Sequence, residues 1–275
     1  YRINHDDQIK LQYNLIRSHC SGAGNPIPEI DCKAVMLARL NTLLQGFAGI
    51  HPDTLLLIKT LINKNISPVI YEHGGLGASG DLVQLAHLAL TLIGEGEVYY
   101  NGKITPTQEV FEKEGLKPME IHIREGLALM NCTSAMSGIG VLNVIYAENL
   151  VNWSVLASAA IMEIVRSFDD HYSTPLNEVK HHYGQNAVAK ALQNTLADSK
   201  LVKKREEHHY NQKVEVDVLV EKMQEYYSIR CVPQIAGPIV DTINYAKEVL
   251  INEINSANDN PIVDWERKNV YHGGN

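Results

Sequence analysis

The sequence predicts a mainly α fold, a bundle of long helices with at most a small β-hairpin, in one domain over residues 1–275. Three observations carry this. From Thr133 to Phe168 the chain is one long, mostly apolar run rich in Ala and Ser, the pattern of a central bundle helix packed on several sides. A second long run, Pro233 to Ala257, has Pro238 near its start and closes in an Asn258-Asp259-Asn260-Pro261 turn. Only Gly96 to Ile104, around Asn101-Gly102, alternates as a strand pair would.

The remaining elements follow in order. Gln8 to Arg17 spaces Ile9, Leu11, Leu15 and Ile16 at helical intervals and ends in the small-residue loop Ser18 to Gly24. Pro28 stands where a helix can begin, and Ala34 to Leu44 continues it until Gly46. Pro52 opens a helix whose apolar face is Leu55, Leu56, Ile58, Leu61 and Ile62. Leu82 to Leu90 reads as a buried helix, and a short helix is expected from Pro106 to Glu114. Asp170 to Asp217 is polar, with His181, His182, His208, His209 and the charge run Lys203 to Glu207, and reads as surface helices and a loop.

Composition narrows the class. With 45% hydrophobic and 20% charged residues, 275 residues suffice for a sizeable core. A net charge of −8 argues against nucleic acid or an anionic membrane as partner. Cys20, Cys32, Cys132 and Cys231 are scattered without a Cys-x-x-Cys pair, which suits reduced thiols and a cytoplasmic location. No uninterrupted apolar run of membrane-spanning length is expected, since Ser158 and Glu163 break the Val155 to Val165 stretch.

One stretch departs from this bland picture. His73-Gly74-Gly75-Leu76-Gly77-Ala78-Ser79-Gly80-Asp81 holds four glycines in nine residues and feeds directly into a helix. Gly80 has no Cβ, so a tight bend can press its nitrogen against the carbonyl carbon of Ala78. Attack there with loss of water closes a five-membered ring. Loss of a second water from Ser79 leaves an exocyclic methylene, an electrophile made from protein alone.

Ala78-Ser79-Gly80, with Gly74-Gly75 before it and Asp81-Leu82 after it, resembles the aromatic amino-acid ammonia-lyases. Four further blocks extend the resemblance along nearly the whole chain. Glu125 to Thr133 is similar to the stretch before the family's central helix, with Cys132 standing where glycine is usual. Gln224-Glu225-Tyr226-Tyr227-Ser228-Ile229-Arg230-Cys231 resembles Gln-x-x-Tyr-Ser-x-Arg, and Asn255 to Pro261 and Gly273-Gly274-Asn275 match in turn. The resemblance implies the long-helix bundle of the ammonia-lyase (fumarase/aspartase-like) type. It also implies a 4-methylidene-imidazol-5-one (MIO) formed autocatalytically from Ala78-Ser79-Gly80, with no external cofactor and no metal. By the same resemblance Asn131, Gln224 and Tyr227 lie near the electrophile, Arg230 binds the substrate carboxylate as a planar fork of donors, and Asn260 belongs to the pocket wall. A homotetramer with shared sites is implied too. So is an incomplete lyase domain in residues 1–275, the lid segment with its tyrosine base lying upstream and further helices downstream.

Ser18-His19 addresses the substrate. At this place phenylalanine enzymes tend to carry Phe-Leu, many tyrosine enzymes His-Leu, and histidine ammonia-lyases Ser-His. A site built to hydrogen-bond a ring donor rejects plain phenyl, because its own polar group would be left unpaired. The expectation is elimination of ammonia from L-histidine to give trans-urocanate. The alternatives are tyrosine giving trans-4-coumarate, or an aminomutase using the same electrophile. From other classes, a GHMP-kinase-like phosphate loop would need more strands than the chain offers. A non-catalytic helical binding module would carry an unmodified Ser79. The adjacent pairs His181-His182 and His208-His209 do not share a helix face and read as solvated side chains rather than metal ligands.

Overall fold

A computed structural model describes residues 3–210 and 222–274. The chain divides into two compact units, one comprising residues up to Leu142 and from Val249 onward, the other Asn143–Glu248.

In the first unit, Asn4 starts α1 (His5–His19) by accepting the Asp7 N–H at 2.8 Å. Strand β1 (Ala23–Pro26) leads to α2 (Glu29–Leu43), and His51 caps α3 (Pro52–Asn63), with Pro52 in its first turn. Short strands β2 (Ser67–Pro68) and β3 (Tyr71–His73) precede the glycine-rich loop and α4 (Leu82–Leu92). The hairpin β4 (Glu97–Tyr100) and β5 (Lys103–Pro106) turns at Asn101-Gly102, both with positive φ as a two-residue turn of this kind requires. Helices α5 (Thr107–Glu114) and α6 (Glu125–Met130) follow. Ile16 of α1, Met36 of α2, Ile58 and Leu61 of α3, Leu85 and Leu88 of α4 and Met130 of α6 are fully buried in one cluster. That cluster makes the platform on which the loops rest.

The long helices fall near their expected places, α7 at Ser134–Ile164 and α11 at Val232–Ile254. Three expectations are corrected. The hairpin is not the only strand pair: β1 pairs with β3, β2 joins β4–β5, and β6 (Ile262–Asp264) pairs with β7 (Asn269–Tyr271). These strands are two to four residues long and several contain Gly or Pro, so no alternation announces them. The stretch Glu125–Ile164 also turns out long and apolar enough to cross a bilayer by length and hydropathy, although more than half of its apolar window is buried against this chain. Nor is α7 covered on several sides here: Ala159 and Met162 are buried, whereas Leu150, Trp153 and Ile164 are exposed.

The second unit holds α8 (Thr174–Glu178), α9 (Tyr183–Thr195) and α10 (Tyr227–Arg230), with a core of Val155, Met162, Tyr172, Val188 and Leu192. His181 and His182 are exposed, His208 meets the Phe168 ring edge-on, and the side chain of His209 and residues 211–217 lie outside the described part. Helices α9 and α11 approach at two glycines. A Cβ on Gly184 would lie 2.0 Å from the Gly237 carbonyl oxygen, while the Gly184 N–H donates to Asp241 Oδ1 at 2.7 Å. Backbone cannot yield there as a side chain could. Gly184→Ala is expected to cost about 3 kcal/mol in chemical denaturation of the full-length protein, the upper range for overpacking. An unchanged denaturation midpoint would contradict this contact.

Candidate active site

Antiparallel pairing of β1 with β3, Ala23 opposite His73, brings the Ser18–Gly24 loop beside the glycine-rich loop. The approach is close. A Cβ on Gly74 would lie 2.8 Å from Val83 Cγ1, 3.4 Å from the Gly22 Cα and 3.5 Å from the Ser21 carbonyl oxygen. The two stretches singled out for electrophile and substrate ring thus share one corner of the first unit.

Within the loop, Gly77, Ser79 and Gly80 all have positive φ, at +67°, +57° and +85°. For Ser79 this left-handed conformation costs roughly 1–3 kcal/mol and persists only where the surroundings enforce it. The enforcement is visible at Asp81. Its N–H donates to the Cys132 carbonyl at 2.8 Å, and its carboxylate accepts the Met136 N–H, also at 2.8 Å, at the start of α7. Burial raises the Asp81 pKa above its ordinary value, an effect the Met136 and Ala135 N–H groups offset only in part. Ala78 and Ser79 are exposed. The loop is therefore bent, open to solvent and fixed at its C-terminal end to the Asn131-Cys132 block.

Asn131 ends α6, its N–H bonded to the Leu127 carbonyl at 2.9 Å, and is almost fully buried. Cys132 turns into the core, with Sγ 2.9 Å from Ser134 Oγ, and burial raises its thiol pKa. An anchor absent from the sequence reading lies beneath them. Arg39 of α2, with no exposed side-chain surface, donates to Asp259 Oδ1 at 2.8 Å, to the Ala128 carbonyl, and to Thr42 Oγ1 at 3.1 Å. The available signal was a charged residue on the apolar face formed by Val35, Met36 and Leu43. Asn258 Nδ2 donates to Thr133 Oγ1 at 2.6 Å and to Glu253 Oε1 at 2.9 Å, and Thr133 itself donates to Glu253. Asn260, half-buried, accepts the Gly273 N–H at 3.2 Å, while Asn275 lies outside the described residues.

His19 is the last residue of α1. Its Nδ1 lies 2.8 Å from the Leu15 carbonyl, so that nitrogen carries a proton, and in the neutral imidazole Nε2 is the acceptor. Ser18 Oγ donates to the same carbonyl at 3.0 Å and lies 3.2 Å from His19 Nδ1.

The other predicted residues belong to the second unit. Arg230 stacks over the Tyr227 ring at 4.1 Å and donates to the Glu225 carbonyl. Glu225 is buried and accepts from Lys222 Nζ at 2.6 Å and from the Phe168 N–H at 3.2 Å. Gln224 and Arg230 line a cavity of about 300 Å³ with Asp170, His171, Arg205 and Gln234. Among the described residues, no group of three or more His, Cys, Asp or Glu side chains is arranged to hold a metal ion.

The helix-rich fold, with its solvent-facing Ala-Ser-Gly bend tied to an Asn-bearing helix end, is that of the aromatic amino acid lyases. The chain belongs to that class: the family described as aromatic amino acid lyase matches it over residues 1–275. It is 41% identical over 274 residues to the histidine ammonia-lyase of Stigmatella aurantiaca, covering 100% of this chain and 51% of that protein. It is 39% identical to the tyrosine 2,3-aminomutase of a Myxococcus species, over 96% of this chain and 52% of that protein. Among solved structures, the phenylalanine aminomutase of Pantoea agglomerans superposes with a TM-score of 0.92 at 34% identity, covering 100% of this chain and 54% of the other. The chain spans about half the length of these relatives.

Proposed function

We propose that this chain forms the electrophile-bearing part of an ammonia-lyase that converts L-histidine to trans-urocanate and ammonia. The observation that carries the reading is the exposed left-handed bend at Ser79-Gly80, in a loop whose Gly74 end lies against Ser21-Gly22 of the loop that follows Ser18-His19. Consecutive positive φ values at Ser79 and Gly80, and a loop end held by Asp81, fit a cyclisation of Ala78-Ser79-Gly80 to MIO with no external cofactor. The group so formed supplies an electrophile that ordinary side chains lack. The proposed roles of the chain's own residues are then distinct. Asn131 supports the electrophile. His19 Nε2 accepts a hydrogen bond from the substrate ring. Arg230 anchors the carboxylate, its guanidinium oriented by the Tyr227 ring and the Glu225 carbonyl, with Gln224 beside it. Asn260 forms part of the wall.

The acceptor at His19 Nε2 suits an imidazole N–H and equally a phenol O–H. This observation favours a second reading, tyrosine as substrate, and the aminomutase among the relatives keeps a 2,3-shift with it. We further propose a cytoplasmic homotetramer with shared sites. Four free thiols support the location, and the exposed apolar side chains along α7 and α11, among them Trp153, Ile164, Ile235 and Tyr245, support the assembly.

The test is absorbance assay of the full-length enzyme on histidine, tyrosine and phenylalanine, with chromatography for β-amino acids. Urocanate should form fastest, and phenylalanine should react about a hundredfold or more slowly. Equal rates on phenylalanine would overturn the role of His19, and β-tyrosine as main product would replace lyase by aminomutase.

A further inference from the structure

The face of α4 beneath the two loops carries two buried polar atoms without a hydrogen-bond partner among the described residues, Gln84 Oε1 and His87 Nε2. They stand three residues apart and so share a side of the helix, while Leu85, Leu88 and Leu92 fill the core. Leucine at either position would avoid stranding a polar atom. Each side chain also occupies the place of a missing Cβ. A Cβ on Gly75 would lie 2.2 Å from Gln84 Nε2 and 2.7 Å from Oε1. One on Gly22 would lie 2.7 Å from His87 Nε2. Neither glycine has a positive φ, so space rather than backbone freedom calls for glycine there. The Tyr71 ring meets His87 edge-on at 5.3 Å and braces it. Burial lowers the His87 pKa, which keeps the imidazole neutral.

We propose that Gln84 and His87 are positioning residues that set both loops against one helix. Gln84 seats the Gly74-Gly75 arm from which the Ala78-Ser79-Gly80 bend springs, and His87 seats the Ser18–Gly24 loop that carries His19. This deepens the function proposed above and rests on it. The division of labour follows from the contacts: Gln84 governs how readily the ring closes, and His87 governs how the substrate ring is read.

The experiment uses full-length enzyme carrying Gln84→Leu, Gly75→Ala, both together, His87→Phe or His87→Gln. Three quantities are read: the fraction of Ala78-Ser79-Gly80 peptide lighter by two waters, the Tm, and kcat and KM on histidine, tyrosine and phenylalanine. Gln84→Leu should slow ring closure about tenfold, an effect expected of lost orientation. Gly75→Ala, which reaches the same contact from the loop side, should do likewise, and the double variant should be no worse than either. His87→Phe should leave closure intact and narrow discrimination against phenylalanine about tenfold, mainly through KM, with His87→Gln restoring it. Wild-type closure and wild-type discrimination in these variants, or a fall in Tm alone, would overturn the proposal and leave the lyase reading standing. An unmodified Ser79 in the wild-type enzyme would overturn both.

Discussion

Arg39→Met is expected to destabilise the full-length protein by about 3–5 kcal/mol, the cost of leaving one partner of a buried ion pair uncompensated. Arg39 and Asp259 are 0% and 2% exposed, so water cannot replace the guanidinium at the carboxylate. The same substitution strands the Ala128 carbonyl one turn before Asn131 and removes the guanidinium's hydrogen bond to Thr42 Oγ1. The damage therefore reaches two site blocks at once, the end of α6 and the Asn258–Pro261 turn. Arg39 Nε and Asp259 Oδ2 already lack partners among the described residues, so the pair is not fully satisfied. Arg39→Met combined with Asp259→Leu should accordingly recover much of the loss, because apolar replacement of a whole buried pair is often neutral. Denaturant unfolding of the two single variants and the double measures this. A single-variant cost below about 1 kcal/mol would mean that the pair anchors nothing.

Ser79→Ala should produce the opposite profile. It is expected to lower kcat/KM by about a thousandfold or more, equivalent to roughly 4 kcal/mol of transition-state stabilisation. Stability should change by no more than about 0.5 kcal/mol, as for an exposed substitution, because Ser79 is exposed and no hydrogen bond to its side chain is seen among the described contacts. An activity loss of this size with an unmoved Tm places the chemistry in the loop rather than in the fold. A Ser79→Ala enzyme with near-normal turnover would remove the electrophile from the account.

Much of the architecture was legible because local chemistry and tertiary packing agree. The apolar run of α4, the Asn101-Gly102 turn and the Pro52 start each signal their structure within a few residues. What was not legible depends on distance. Arg39 shows in sequence only as a charge on an apolar helix face, and its partners, 89 and 220 residues away, are visible only in the fold. The pairing of β1 with β3, which brings the Ser18–Gly24 loop beside the glycine-rich loop, runs through strands too short, and in β1 too rich in Gly and Pro, to show a period. Cys132, conspicuous in sequence as a side chain where glycine is usual, is absorbed by the core beside Ser134. Gln84 and His87 were hidden for a related reason: a few polar residues in an apolar helix give no hint that these two face a glycine lacking its Cβ.

The central claim is that Ala78-Ser79-Gly80 closes into an electrophile. An accurate mass of the peptide containing these residues, from native full-length protein and from its Ser79→Ala variant, tests it most directly. A wild-type peptide lighter by two waters, with no such loss in the variant, is the expected result. An unmodified serine in folded wild-type protein would contradict it.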